Sequence, residues 1–246
     1  MVRAKSFLAL LAVVLASWGA SRAFADPILD AVRAEAAVVS PLHHKVTREV
    51  FDNSGKTRQR KAVFDPRLPE GERWTLLERN HEPPSKKYQR KYEDDEDRDP
   101  PESYGRVLHY LDGPVTRLAQ TETDVTYRID RLGKGSIILH GEDISDKISG
   151  EVVVDLTSGV PFVREVRLMV AETFKPMWLV RIESGEGLIR FKRTKDGYPV
   201  MHRQTLHVRG KRPFGHIDYE SDALYQDYHP IAALQEVSGD LSAHYP

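Results

Sequence analysis

The feature that most constrains this fold is a series of alternating segments in the C-terminal half, joined by short turns and never separated by a helix-length stretch. Asp124 to Asp130 alternates polar with apolar residues, and Gly150 to Leu156 reads as a strand ending at the turn Thr157-Ser158-Gly159. Val160 to Thr173 then places Phe162, Val166, Leu168 and Val170 on one face. Met177 to Glu183 puts Trp178, Val180 and Ile182 together, and Leu188 to Thr194 leads into the turn Lys195-Asp196-Gly197. Tyr198 to Val208 presents Tyr198, Val200, Leu206 and Val208 on a face, Gly210 to Gly215 turns again, and His216 to Tyr228 closes the series. Strands linked by short turns pair antiparallel, whereas a parallel sheet needs crossover helices, which this half of the chain has no room for. The expected class is mainly β, with a minor helical part (α+β). Long strands with aromatic residues on the inward face favour a strongly curved sheet over a flat sandwich. Arg164, Arg181, Arg190, Lys192 and Arg203 are expected mainly on the opposite, solvated face.

The N-terminal half is less regular. Pro27 to Val39 spaces Ile28, Leu29, Val32, Ala36 and Val39 as a short amphipathic helix able to lie across a sheet. From His44 the pattern changes to alternation, and Asn53-Ser54-Gly55-Lys56 marks a hairpin turn before Thr57 to Phe64. Asp65 to Glu72 reads as a loop, and Arg73 to Leu77 as a short strand. Glu82 to Ser103 differs from its surroundings: Pro83-Pro84, the basic run Lys86 to Lys91, the acidic run Glu93 to Asp97 and Pro100-Pro101 leave almost nothing to bury. The ligand spacing and turn glycine of a calcium loop are missing, so the segment is expected to be a solvated, partly helical or mobile insertion.

The first 25 residues follow a different logic. Arg3 and Lys5 precede the ten apolar residues Phe7 to Ala16, and Ala23-Phe24-Ala25 fits a small-residue cleavage pattern. Residues 1–25 are therefore expected to be a signal peptide cleaved after Ala25, leaving 26–246 as a single β-rich domain. The apolar run is shorter than the roughly 20 residues of a membrane-spanning helix, so no integral membrane span is expected. Arg3, Lys5 and Arg22 are the only charges in the leader, so cleavage leaves 33 basic against 37 acidic residues and a net charge of about −4. That balance argues against a nucleic-acid partner. With no cysteine in the chain, the domain must hold together by its own core, which suits a bacterial periplasmic location.

Several residues carry a family resemblance. The strand GEVVVDL leads through the turn Asp155-Leu156-Thr157-Ser158-Gly159-Val160-Pro161, a second turn reads Asp196-Gly197-Tyr198-Pro199, and the last strand ends in Tyr225-Gln226-Asp227-Tyr228. In order and turns, residues 149–228 resemble the LolA, LolB and RseB superfamily of periplasmic proteins. The resemblance implies an open antiparallel half-barrel with helices on its concave side, and the binding of lipoprotein acyl chains or the sensing of envelope components. The charged insertion departs from that pattern, and no ligand-gating residue carries over. The stretch Pro69-Glu70-Gly71-Glu72-Arg73-Trp74-Thr75-Leu76-Leu77 is similar to a segment of exported proteobacterial proteins, a likeness that implies no function.

No catalytic residue emerges. A cysteine nucleophile is absent, as are a Gly-x-Ser-x-Gly elbow, a His-Glu-x-x-His pair and a phosphate-cradling glycine loop. The ten histidines are scattered. His43 and His44, as neighbours on a strand, would point to opposite faces, as would His202 and His207, whereas His216 and Asp218 would share one. No metal site and no cofactor are expected. A concave apolar surface needs no acid–base pair, and the expected function is a soluble periplasmic binding protein for a hydrophobic ligand, a lipid or lipoprotein acyl chain. The expected lining is Phe162, Val166, Leu168, Trp178, Val180 and Ile182. The alternatives are a non-enzymatic envelope scaffold or regulator that binds a protein partner through the sheet, and a hydrolase with a dispersed Asp and His site.

Overall fold

The first helix, α1 (Pro27–Val38), begins at a residue suited to start one. The Asp26 carboxylate accepts hydrogen bonds from the backbone N–H groups of Ile28 (3.1 Å) and Leu29 (3.4 Å), and Pro27 occupies a position where a missing N–H costs nothing. Leu29, Val32 and Ala36, three and four residues apart, form the buried stripe. The same carboxylate binds the guanidinium of Arg117 at 2.6 Å and accepts from the Tyr127 hydroxyl at 2.9 Å. One residue thus caps the helix and fastens it to the sheet.

The computed structural model describes residues 26–40, 42–53, 58–95, 101, 103–139 and 141–231. The expected signal peptide, residues 54–57 of the first hairpin turn and residues 96–100 and 102 of the charged segment lie outside the described residues. The strands are β1 (His44–Asp52), β2 (Arg58–Phe64), β3 (Trp74–Arg79), β4 (Val115–Gln120), β5 (Asp124–Ile129), the two-residue β6 (Ile138–Leu139) and β7 (Glu142–Asp143), β8 (Ile148–Asp155), β9 (Phe162–Val170), β10 (Phe174–Met177), β11 (Val180–Arg193), β12 (Pro199–Arg212) and β13 (Gly215–Pro230). All but β6 and β7 join one antiparallel sheet, in the order β3-β2-β1-β13-β12-β11-β9-β8-β5-β4, with β10 on β11. The first strand lies against the last, from His44 opposite Pro230 to Asp52 opposite Ser221. The path ends in β3 at one side and β4 at the other, so the sheet is an open, curved half-barrel with its short helices on the concave side.

The core lies between α1 and this sheet. Val46, Phe64, Val152, Val166, Ile189 and Phe191 meet Leu29, Val32 and Ala36 in one buried cluster. Helix α2 (Lys86–Asp95), a short 3-10 turn, Tyr104–Arg106, and helix α3 (Val107–Tyr110) complete the filling. Tyr104 is fully buried; its ring meets Phe191 edge-on at 5.3 Å and its hydroxyl accepts from the Val163 backbone N–H at 2.8 Å.

Four expectations need correction. The Met177 to Glu183 strand is broken, because β10 pairs Met177 with Val180 across the turn Trp178-Leu179. The C-terminal strands run further than alternation indicates: β11 continues through Ser184-Gly185-Glu186-Gly187, and β12 extends to Arg212, with its turn at Pro213-Phe214. Backbone pairing carries a strand through residues that bury nothing. Tyr198, Val200, Leu206 and Val208 do not share one face, because Arg190 pairs with Arg203 but Phe191 with Met201, leaving His202 as a bulge that reverses the alternation. The charged segment also buries more than expected. Tyr92 of α2 is in the core, where its hydroxyl accepts from Arg48 at 2.8 Å, and four residues earlier Tyr88 lies under the Arg79 guanidinium at 3.9 Å.

Candidate ligand-binding face

The concave face divides along the long strands. Starting from the core, Val166, Ile189, Gln204 and Ala223 form a row across β9, β11, β12 and β13, and Val166, Ile189 and Ala223 belong to the buried cluster. Two residues further out, the next row is Leu168, Gly187, Leu206 and Ser221. Beyond it, Gly185 pairs with Val208 and Val208 with Tyr219; beyond that, Phe174, Ile182, Gly210 and Ile217 form the outermost row. The side chains confirm the shared face. A Cβ built on Gly187 would meet Leu168 and Leu206 at 3.8 and 3.9 Å, and one on Gly185 would meet Val170 and Val208 at 3.0 and 3.7 Å.

These outer rows form an apolar strip that α1 does not cover. Leu206, Val208, Ile217 and Tyr219 are neither in the core cluster nor packed against it, and Leu206 is 39% exposed. Gly185 and Gly187 make the floor of β11 bare of side chains where the neighbouring strands carry Leu168, Val170, Leu206 and Val208. Gly210 answers a different need: a Cβ there would lie 2.2 Å from the Arg181 carbonyl oxygen, so only glycine lets the two strands approach at the Ile182/Ser184 irregularity. The strip opens at the end where the turns 178–179 and 213–214 lie beside each other, since Arg181 pairs with Lys211. Met177, Trp178, Leu179 and Phe214 are exposed at that end, Trp178 to 84%.

Charge is kept to the other face. Glu165 pairs with Arg167 and Arg190, both at 3.0 Å, and Arg203 pairs with Asp222 at 2.5 Å. These residues alternate with Val166, Leu168, Ile189 and Gln204, so they point away from the strip. The surface is therefore amphipathic across its thickness, ion-paired outside and apolar inside.

Of the six expected lining residues, only Leu168 and Ile182 lie in the open rows, and Ile182 is 8% exposed. Phe162 and Val166 are core residues, with Phe162 under the Arg193 guanidinium at 4.7 Å. Trp178 lies in the turn at the open end, and Val180 follows it as the first residue of β11. The reading of the residues missed Val208, Ile217, Tyr219 and the two glycines as lining. Alternation does show Leu206 and Val208 side by side; what hides the strip is which part of the sheet the helix leaves bare.

The histidines also fall differently. His43 lies in the bend before β1 and His44 is the strand's first residue, so strand alternation does not separate them, and their ring centroids are 4.7 Å apart. Asp218 pairs with His207 at 3.0 Å across β12 and β13. The His207 hydrogen bond, with Arg209 at 3.6 Å from the same carboxylate, holds the Asp218 carboxyl below its usual range.

The fold and this face together define a β half-barrel with one filled and one bare stretch of concave surface. No family model, no curated protein and no solved structure matches the chain.

Proposed function

We propose that this protein is a periplasmic binding protein that holds an apolar chain, the acyl tail of a lipid or of a lipid-modified protein, along the open strip of its concave face. The observation that carries the reading is the pairing of side-chain-free Gly185 and Gly187 with Leu168 and Val170, which edge the core, and with Leu206 and Val208, which lie outside it, making an apolar channel floor. The filled half offers no such place. The space beside His44, bordered by Tyr104, Tyr198 and Tyr228, amounts to about 30 Å³. That is room for a water or two, while small-ligand sites run to about 300–1,000 Å³. An acyl chain on the strip needs no buried polar partner, and exposed apolar surface of this continuity marks a binding face. No helix among the described residues is long and apolar enough to cross a membrane.

Titration of the purified protein with a fluorescent long-chain fatty acid tests the reading. Saturable binding, displaced by unlabelled palmitate and weakened at least tenfold by Val208→Asp with unchanged circular dichroism, is the expected result. Absence of saturable binding, or an affinity indifferent to Val208→Asp, would overturn it.

A further inference from the structure

At the opposite end of β11 and β12 from the strip, the bend before β1 and the β11–β12 turn bring together three groups of metal-ligand type. One ligand atom each from His43, His44 and Asp196 lies within 4.8 Å of the others. Each is held in place by a separate contact. The His43 ring stacks on Tyr198 at 4.3 Å with an interplanar angle of 11°, and the Tyr198 hydroxyl accepts from the Ser40 N–H at 2.7 Å and donates to the Ser40 carbonyl at 3.1 Å. The Thr194 hydroxyl donates to Asp196 Oδ1. Oδ2 of the same carboxylate faces His44 Nε2 at 3.9 Å.

His44 supplies the independent sign of a ligand. It is 4% exposed, and its Nε2 is buried without a hydrogen-bond partner. A buried polar atom left unpaired is costly and rare, and 3.9 Å is too long for the aspartate to satisfy it. An ordinary His–Asp ion pair therefore does not account for the arrangement.

We propose that His43, His44 and Asp196 bind one divalent transition-metal ion of borderline softness, of which zinc is the type. Two imidazole nitrogens and one carboxylate oxygen are a donor set for zinc, nickel or copper and not for calcium or magnesium, which take oxygen ligands. Tetrahedral zinc sits about 2.0–2.1 Å from nitrogen and oxygen, which places ligand atoms roughly 3.3 Å apart. The three groups must close by at most about 1.5 Å, and Asp196, half exposed on a turn, is placed to move toward the two imidazoles. The ion would join the entry of β1 to the β11–β12 turn, tying together segments more than 150 residues apart in sequence. It lies away from the strip, so the two sites can be tested separately.

The experiment is calorimetric titration of the chelator-stripped, untagged full chain with zinc chloride, with thermal melting in parallel. One equivalent bound and a raised melting temperature are expected, with affinity falling at least tenfold in each of His43→Ala and Asp196→Asn and unchanged in His207→Ala. His43 and Asp196 are not core residues, so both variants are expected to fold; His44→Gln adds a third test only if its circular dichroism matches the parent. No saturable zinc binding, or wild-type affinity in either His43→Ala or Asp196→Asn, would overturn the proposal.

Discussion

The inner and outer stretches of the same three strands, β11, β12 and β13, are built from similar residues and live in different surroundings. Near the core, Ile189, Phe191, Met201 and Tyr225 are almost fully buried beneath α1 and the Tyr104–Tyr110 segment. Further out, Leu206, Val208, Ile217 and Tyr219 are also largely apolar and stay partly exposed. Residue type does not distinguish the two; the presence of a covering helix does. Apolar side chains that a helix covers stabilise the fold by roughly 25 cal/mol for each Å² removed from water, and those left uncovered hold that free energy in reserve for a partner. The inner stretch is thus stability, and the outer stretch is the surface proposed to bind.

Paired truncations break or sharpen this division most strongly. Phe191→Ala empties a fully packed site touching Tyr104 and is expected to cost about 3–5 kcal/mol, the usual range for deleting a buried aromatic ring. Leu206→Ala on the open strip is expected to cost less than about 1 kcal/mol, because the side chain is already 39% exposed and stands outside the core cluster, so little cavity forms. Denaturant unfolding of the two variants measures both. Equal losses would mean that the strip is core and that the division is false.

A smaller effect tests the clamp that seats the covering helix. Burial pushes the Asp26 carboxyl upward, but hydrogen bonds from Arg117, Tyr127 and the N–H groups of Ile28 and Leu29 outweigh it, and the group lies below the usual carboxylate range. A carboxylate lowered by folding adds stability that is fully present above its unfolded value, near pH 4, and is lost as pH falls through the folded one. Asp26→Ala is expected to cost about 1–2 kcal/mol at pH 7, the range for a lost N-cap. Asp26→Asn keeps the cap and loses the charge, so it should cost less and flatten the loss of stability below about pH 4. Melting curves from pH 7 to pH 3 separate the two. A variant as stable as the parent across that range would show that α1 is held by its apolar stripe alone.

What could be read from the sequence follows the same division. Strands β8 and β9 are legible because one face of each is buried and the alternation survives, and because their turn is built from local chemistry. The Asp155 carboxylate accepts from Thr157 N–H at 2.7 Å and Thr157 hydroxyl at 2.6 Å, and Gly159 takes φ of +77°. Helix α1 is legible for the same reason, a buried stripe with a cap. Strand β4 is not, since none of its residues is fully buried and its place at the sheet edge comes from backbone pairing with β5 and from contacts distant in sequence, such as Arg117 with Asp26. The burial of Tyr92 is hidden by the charges around it, and the nearness of His43, His44 and Asp196 by a separation of about 150 residues that local pattern cannot bridge. The candidate strip falls between these cases. Its residues alternate visibly, but the bulge at His202 and the turn at Trp178-Leu179 rearrange which of them share a face.

The finest test fills the strip without touching the core. At Gly187 the nearest atoms to an added Cβ, on Leu168, Leu206 and Thr205, are at ordinary contact distance, 3.8–3.9 Å, and its φ is not in the left-handed region. A β-strand gains slightly from replacing glycine, because the unfolded chain loses freedom, so Gly187→Ala is expected to be neutral or stabilising by up to about 1 kcal/mol. Gly187→Leu carries the added bulk out over the strip, where Leu168 and Leu206 flank it and no helix side chain belongs to the row. It should keep the parent's melting temperature within a few degrees and reduce fatty-acid binding by tenfold or more. The same substitution at Gly185 is the internal control, because a Cβ there already presses on Val170 at 3.0 Å and must move it. Gly185→Leu should therefore lower stability as well as binding. If Gly187→Leu left binding intact, the strip would not be where the ligand lies, even if the protein binds one.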